Sequence, residues 1–493
     1  MADARMTALR GLSEVFGQGG YSNLVLERLM RNNELSGQER AFCTALFYGV
    51  VERRITLDWV LGRYSRQSVE KLSPAVRDIL RMAVYQLLYM PSVPESAAVN
   101  EAVKETRQMK VASAAGYVNG VLRSFLRDGK KLALPRDPLA ALSVQYSVPQ
   151  ALISLWQRSY GAAAATAILE GCATPAPLFL RVNPLKTTAD ALITQLAQQS
   201  IPAEKTPVEN ALRLTGAGDV TRLSAFREGL FHVQDLSSQQ CAAALAVRPG
   251  HRVLDVCSAP GGKSFTLAEM MQNTGSLLAM DLYPNRLKLV EDGAARLGLT
   301  CLQVRPGDAR IFDKSLGTFD RILCDVVCSG YGVIRRKPEI RYKDPAECDA
   351  LPQTQLAILA ASARYLNPGG RLVYSTCTLN PAENEGGRKP GLAPGHAAHD
   401  ERIVRAKPFN APEDEEHALD PNHGGAPDEE RYQREERRKR PDAEAVEEKV
   451  RRHERMSEDR KNQQEHFEKE MVRIWPLCCG AFPGLRASDR ADE

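Results

Sequence analysis

Long hydrophobic runs are missing from this sequence. No stretch reaches about eighteen consecutive apolar residues, which excludes a membrane-spanning helix. The opening segment, MADARMTALRGLSEVF, carries an acidic residue early and lacks an apolar core of signal-peptide length, so no export signal is expected. Net charge is scarce: 65 Lys and Arg stand against 61 Asp and Glu, a formal +4 over 493 residues. The 11 cysteines do not form a disulfide framework in a chain this long. Cys324 and Cys328 are a lone C-x3-C with no second pair or histidine cluster nearby, and Cys478 and Cys479 are adjacent, a poor ligand spacing. No metal is expected. A reducing, cytoplasmic setting follows, in which thiols stay free.

What is present bounds the fold. At about 100–200 residues per domain the length allows two to four domains. The 43% hydrophobic content is enough for sizeable cores. Residues 1–135 hold 19 Lys and Arg against 13 Asp and Glu, a local excess of +6. That bias suits a polyanion, and equally a solvated helical surface.

Residues 1–142 read as an all-α domain. LSGQERAFCTALFYGVV opens with a capping box, Ser36 to Glu39. LSPAVRDILRMAVYQLLYMP has Ser73 at the N-cap, Pro74 in the first helical position, an apolar stripe of Val76, Leu80, Val84 and Leu87, and Pro91 as its stop. Residues 143–229 read as a small α+β module, with strands in PAPLFLRVNPLKTT and EGLFHVQDLSS around a short helix, ADALITQLAQQS. From 230 to 385 strands alternate with helices: 251–257, 276–282, 301–308, 319–326 and 371–377 are the expected strands. That alternation predicts an α/β, Rossmann-like domain with a parallel sheet, whose ligands sit beyond the carboxyl ends of the strands. Residues 386–493 are charged, rich in Pro and Gly and poor in aliphatics, and are expected to be largely disordered; VRIWPL, 472–477, alone returns to a strand-like texture.

Chemistry concentrates at the strand ends. LDVCSAPGGKSFTLAEM, 254–270, is a strand, a Gly-rich turn and a helix start, where Gly261 and Gly262 admit a ligand close to the backbone and free N–H groups face it. A nucleoside triphosphate loop, G-x-x-x-x-G-K-[ST], would need glycine at 257, where this chain has Cys257. No dinucleotide fingerprint is present either. S-adenosyl-L-methionine fits better, because acidic acceptors follow at successive strand ends: Asp281, Asp308 and Asp325.

Cys328 follows the fourth strand of this domain and Cys377 ends the fifth. Cys43, Cys172, Cys241 and Cys301 read as small buried hydrophobes. A methyl donor beside two thiols suggests methylation of cytosine carbon 5. That carbon is a poor nucleophile until a thiolate adds at carbon 6, which divides one difficult step into easier ones. Asp325 is placed to hydrogen-bond the ring edge. Residue pattern alone does not rank the two cysteines.

The stretches DVCSAPGGKS, CDVVCSGYGVIRRKPEI and LVYSTCTLNPAENE resemble signature motifs of the RNA cytosine-C5 methyltransferases, and most closely their RsmB (Sun, Fmu) branch, which modifies small-subunit ribosomal RNA. GLFHVQDLSSQQCAAAL, LLYMPSVPESAAVNEAV and GYVNGVLR resemble the same branch, the last two its NusB-like RNA-binding domain. The resemblance covers roughly residues 5–385. It implies Cys377 as nucleophile, Cys328 as the group assisting release, and cofactor contacts from Cys257, Ser258, Ala259, Pro260, Gly261, Gly262, Lys263, Asp281, Asp308 and Asp325. It implies ribosomal RNA as partner, and a monomer is expected. Arg335, Arg336 and Lys337 are expected to hold RNA phosphates.

Three features depart from the branch. Val327 stands where proline is usual before the cysteine, removing a fixed φ. Tyr331 replaces a small residue or Thr, with bulk that could obstruct the base pocket. After Gly386 the usual closing helix and strands give way to the charged tract. These departures leave open a second reading, a methyltransferase-like RNA-binding protein with little or no turnover.

Overall fold

The computed structural model describes residues 3–33 and 35–384. The charged segment and its strand-like remnant at 472–477 lie outside the described residues. Among those residues no helix is long and apolar enough to cross a membrane.

Seven α-helices build the N-terminal domain, from Ala4–Gln18 to Ala115–Arg127. The expected capping box is formed: Glu39 N–H donates to Ser36 Oγ at 3.3 Å, and Ser36 N–H donates to Glu39 Oε2 at 2.8 Å. Helix Pro74–Tyr89 starts at the proline and ends before Pro91. Its stripe is core, with Val76, Leu80, Val84 and Leu87 no more than 7% exposed. Burying each of these side chains stabilises by about 1.5–3 kcal/mol.

Helices Pro138–Tyr146, Gln150–Tyr160 and Ala162–Cys172 follow. The first spans the expected division at 142. Trp156, fully buried, anchors a cluster in which these helices meet Tyr331, Ile334, Ile340 and Leu379 of the α/β domain. The helices are therefore a bed for the segments around Tyr331 and Leu379.

A small antiparallel sheet comes next, ordered β2-β3-β1-β4, from β1 (Leu178–Val182), β2 (Ala203–Lys205), β3 (Ala211–Leu214) and β4 (Phe231–Val233). β4 pairs with β1, so this module runs past 229.

The larger sheet is parallel throughout: β5 (Arg252–Asp255), β6 (Ser276–Asp281), β7 (Leu302–Pro306), β8 (Phe319–Asp325) and β9 (Leu366–Ser375). All five lie where strand–helix alternation predicts them, and β9 begins earlier, at Leu366. Their order is β7-β6-β5-β8-β9. The direction of winding reverses between β5 and β8, and at that switch point the flanking loops diverge and leave a crevice.

Candidate active site

Read across the rim of this sheet, the carboxyl ends present Asp308 after β7, Asp281 on β6, the Gly-rich turn after β5, Asp325 on β8 and Cys377 after β9. Topology thus arranges in one row residues scattered over 120 positions of sequence.

The turn 256–261 leads into helix Gly262–Met270. Gly261 has φ 107°, and a Cβ there would meet the Phe265 ring at 2.4 Å, so only glycine fits. Ser258 N–H donates to Met280 O at 2.7 Å, tying the turn to β6. Arg286 braces it from the next helix, donating to Ala259 O at 2.7 Å while pairing with Asp281 at 3.1 Å. Asp281 is 3% exposed and Asp308 is held by Arg310. Leu282 and Ile311, 49% and 66% exposed, give apolar surface beside the two acids.

The set fits an adenosyl cofactor. The buried hydroxyl of Ser258 and Oδ1 of buried Asp255 lack hydrogen-bond partners among the described residues, so polar capacity remains under the turn. Burial lifts Asp255 to about 7, with Ser264 opposing it through a 2.6 Å hydrogen bond.

Asp325 is held on both oxygens. Ser375 Oγ donates to Oδ1 at 2.6 Å and Lys263 Nζ to Oδ2 at 2.7 Å. The first contact follows from register, since Asp325 and Ser375 are cross-strand partners of β8 and β9. The second brings the Gly-rich helix to the end of β8.

The two candidate thiols meet. Cys328 Sγ lies 3.2 Å from Cys377 Sγ, and both residues are only half-buried. The hydrogen bond from Cys328 lowers the Cys377 thiol, helped by the charges of Lys263 and Lys337 and opposed by burial and Asp325. The same hydrogen bond, burial and the charge of Cys377 raise Cys328, with a smaller push from Glu383. Cys43, Cys172, Cys241 and Cys301 are all pushed up by burial, the second and third to about 11, which keeps them inert. Cys257 is also raised, burial leading, so within the turn it offers shape and backbone rather than a thiolate.

Glu383 carries no expectation from the sequence. Its buried carboxylate accepts from the Ser329 N–H at 2.9 Å, the Ser329 hydroxyl, Gln355 Nε2 at 2.9 Å and Asn380 Nδ2 at 3.0 Å. The position of NPAENE just after Cys377 was the one available signal.

Arg335 and Arg336 are not placed for phosphates. Arg335 donates to Thr174 O, Thr174 Oγ1 and Pro175 O, and Arg336 pairs with Asp235 and donates to Pro177 O. Their guanidiniums fasten the loop after Cys328 to the preceding module, and Lys337 alone of the three is exposed. Tyr331 turns away from the rim: it is 1% exposed, packs in the Trp156 cluster and reaches Cys348 Sγ at 3.8 Å. Val327 is 54% exposed, and its carbonyl is fixed by Gln355 at 2.8 Å, which restrains the loop that lacks proline.

Known proteins align with this layout. The family model described as 16S rRNA methyltransferase RsmB/F matches residues 242–407, the NusB family matches 2–127, and an RsmF/B-like ferredoxin-like domain matches 148–221. The probable ribosomal RNA small subunit methyltransferase B of Bacillus subtilis (strain 168) is 39% identical over 77% of this chain and 86% of its own length. The protein of that name from Synechocystis sp. (strain ATCC 27184 / PCC 6803 / Kazusa) is 36% identical over 78% and 88%. The solved structure of PH0851 superposes with a TM-score of 0.68 at 25% identity, covering 77% of this chain and 87% of that one.

Proposed function

Since the chain belongs to the RsmB/F family of 16S rRNA methyltransferases, we propose that the thiol pair Cys328–Cys377, Asp325 and the Gly-rich turn are its working parts. The reaction is the S-adenosyl-L-methionine-dependent methylation of carbon 5 of a cytosine in small-subunit ribosomal RNA.

The 3.2 Å contact between the two sulfurs at neighbouring strand ends carries the assignment. Cys377, whose thiol is lowered, is the nucleophile that adds to carbon 6 of the base. Asp325, clamped by Ser375 and Lys263, keeps a second lone pair on each oxygen and hydrogen-bonds the ring edge. S-adenosyl-L-methionine, when bound, supplies an electrophilic methyl group. Residues 257–263 with Asp281 and Asp308 hold it, the buried Ser258 hydroxyl among the groups left to receive it. Cys328 lies beside the adduct for the release step, in which a base takes the carbon 5 proton, the carbon 5–carbon 6 double bond re-forms and the carbon 6–sulfur bond breaks, returning Cys377 as the thiolate.

A paired base is out of reach of such a rim, so the substrate is an unpaired or extruded cytosine. The NusB-like domain adds backbone affinity that weakens with salt. We read the enzyme as a cytoplasmic monomer that needs no metal, because thiolate and sulfonium are themselves nucleophile and electrophile.

A covalent trap tests this. RNA carrying 5-azacytidine should give an adduct stable on denaturing gels, and Cys377→Ala should abolish it. A protein that binds RNA without turnover would give no adduct with either form. Bisulfite mapping of ribosomal RNA from cells with and without the protein then locates the target.

A further inference from the structure

Glu383 touches neither the proposed cofactor turn nor the base-binding acid, yet both reactive loops close on it. Ser329 follows Cys328 directly, and gives Glu383 its N–H and its hydroxyl. Thr378 follows Cys377 directly, and its hydroxyl meets that of Ser329 at 2.5 Å. Asn380 and Gln355 complete the shell at 3.0 and 2.9 Å. Tyr374 of β9 donates to the main-chain carbonyl of Glu383 at 3.1 Å, which fixes the backbone too. The residue is 3% exposed.

A buried carboxylate is costly unless several donors satisfy it, and a simple loop closure does not require one. What this one adds is a fixed negative charge on the Cys328 side of the thiol pair. We propose that Glu383 is a positioning residue for the reaction, a single carboxylate that clamps the Cys328 loop to the Cys377 loop and, by its charge beside Cys328, assigns the nucleophile's part to Cys377. The inference rests on reading Cys377 as the nucleophile.

Charges from several elements act on the pair. Asp325 from β8, Lys263 from helix Gly262–Met270 and Lys337 from the following loop act on Cys377. Glu383 acts on Cys328, and beneath it on Tyr331 and Cys348. Gln355 from helix Leu351–Ala363 is neutral. Both cations thus favour the Cys377 thiolate, against Asp325, while Glu383 disfavours a thiolate at Cys328.

Thiol alkylation of the full chain, without RNA, separates this from a structural role. Iodoacetamide with peptide mapping should modify Cys377 at least about tenfold faster than Cys328 in the native protein. In Glu383→Gln, which keeps the size, removes the charge and turns one acceptor oxygen into a donor, that ratio should shrink toward one, and the alkaline limb of the methylation rate should move to lower pH. A folded Gln variant with the native ratio overturns the proposal. A native protein that alkylates Cys328 first overturns instead the choice of nucleophile. If the Gln variant does not fold, Ser329→Ala decides: it keeps the charge and loses one clamp, so the alkylation ratio should hold while kcat falls about tenfold with KM unchanged. An unaltered kcat in that variant overturns the clamp.

Discussion

Lys263 Nζ sits 2.7 Å from Asp325 Oδ2, joining the helix that follows the Gly-rich turn to the end of β8. Because the pair is only partly buried, the contact is worth less as stability than as placement. It sets two opposite charges beside Cys377, and they pull its thiol in opposite directions.

Removing each charge should therefore move the acid limb of kcat/KM oppositely. Lys263→Met loses the cation that lowers Cys377, so the limb should shift to higher pH, with about a hundredfold loss of kcat at neutral pH. Asp325→Asn loses the anion that raises Cys377, so its limb should shift to lower pH even as the rate falls. Rate profiles with ribosomal RNA across pH 5–9 measure both. Parallel shifts would contradict the assignment of these charges.

Cys328→Ala should separate attack from release. Cys377 can still add to the base, but the partner 3.2 Å away is gone when the sulfur must leave. The variant should accumulate a covalent protein–RNA species with ordinary cytosine-bearing RNA, visible on a denaturing gel. A gel without that band would take Cys328 out of the release step.

Strand-end logic carried most of the site, because in a parallel sheet the residues after each strand share one rim whatever their separation in sequence. It could not rank the thiols. Cys328 and Cys377 follow adjacent strands, and their asymmetry comes first from the hydrogen bond between them and then from charges such as Lys263, some 65 residues before Cys328, and Glu383. Arg335 and Arg336 were misread for a similar reason: their partners, Thr174, Pro175, Pro177 and Asp235, are about a hundred residues or more away in sequence, and local charge does not reveal a distant acceptor. Strands β2 and β3, three and four residues long, were not expected from the sequence.

Glu105 offers a stability test far from the chemistry. It lies on helix Glu95–Gln108, 2% exposed, with Oε1 lacking a partner among the described residues. Burial lifts it from 4.5 to about 8, against the pull of Arg5. The folded protein therefore keeps a proton that the unfolded chain releases, and stability falls as pH rises from about 4.5 to 8. Glu105→Gln cannot titrate. Its melting temperature should match the native protein near pH 5 and exceed it by several degrees at pH 8.5. Melting curves that keep a constant offset across that range would refute the linkage.

Arg341 is the last and most structural case. Its guanidinium is 1% exposed and donates to Glu52 O and Tyr146 O, both at 3.3 Å, and to Ser147 O and Ile334 O, both at 3.4 Å. Glu52 and Tyr146 end helices Gly37–Glu52 and Pro138–Tyr146, so a cation from the catalytic domain caps two negative helix termini. Its neighbour Tyr342 donates to Val51 O and Glu52 O at 2.9 Å, and Glu339 accepts from Ser22. This segment begins at the Cys328 loop, so the NusB-like domain and the reactive rim share a mechanical link. Arg341→Met should strand these carbonyls and cost about 2–4 kcal/mol. Calorimetry should then resolve two transitions, against one expected for the native chain, because the helical domain has its own core. Arg341→Lys keeps the charge but lacks the planar fork that reaches several carbonyls at once, and should fall between the two. A Met variant that melts in one unshifted transition would show that the domains are joined elsewhere, through the Trp156 cluster.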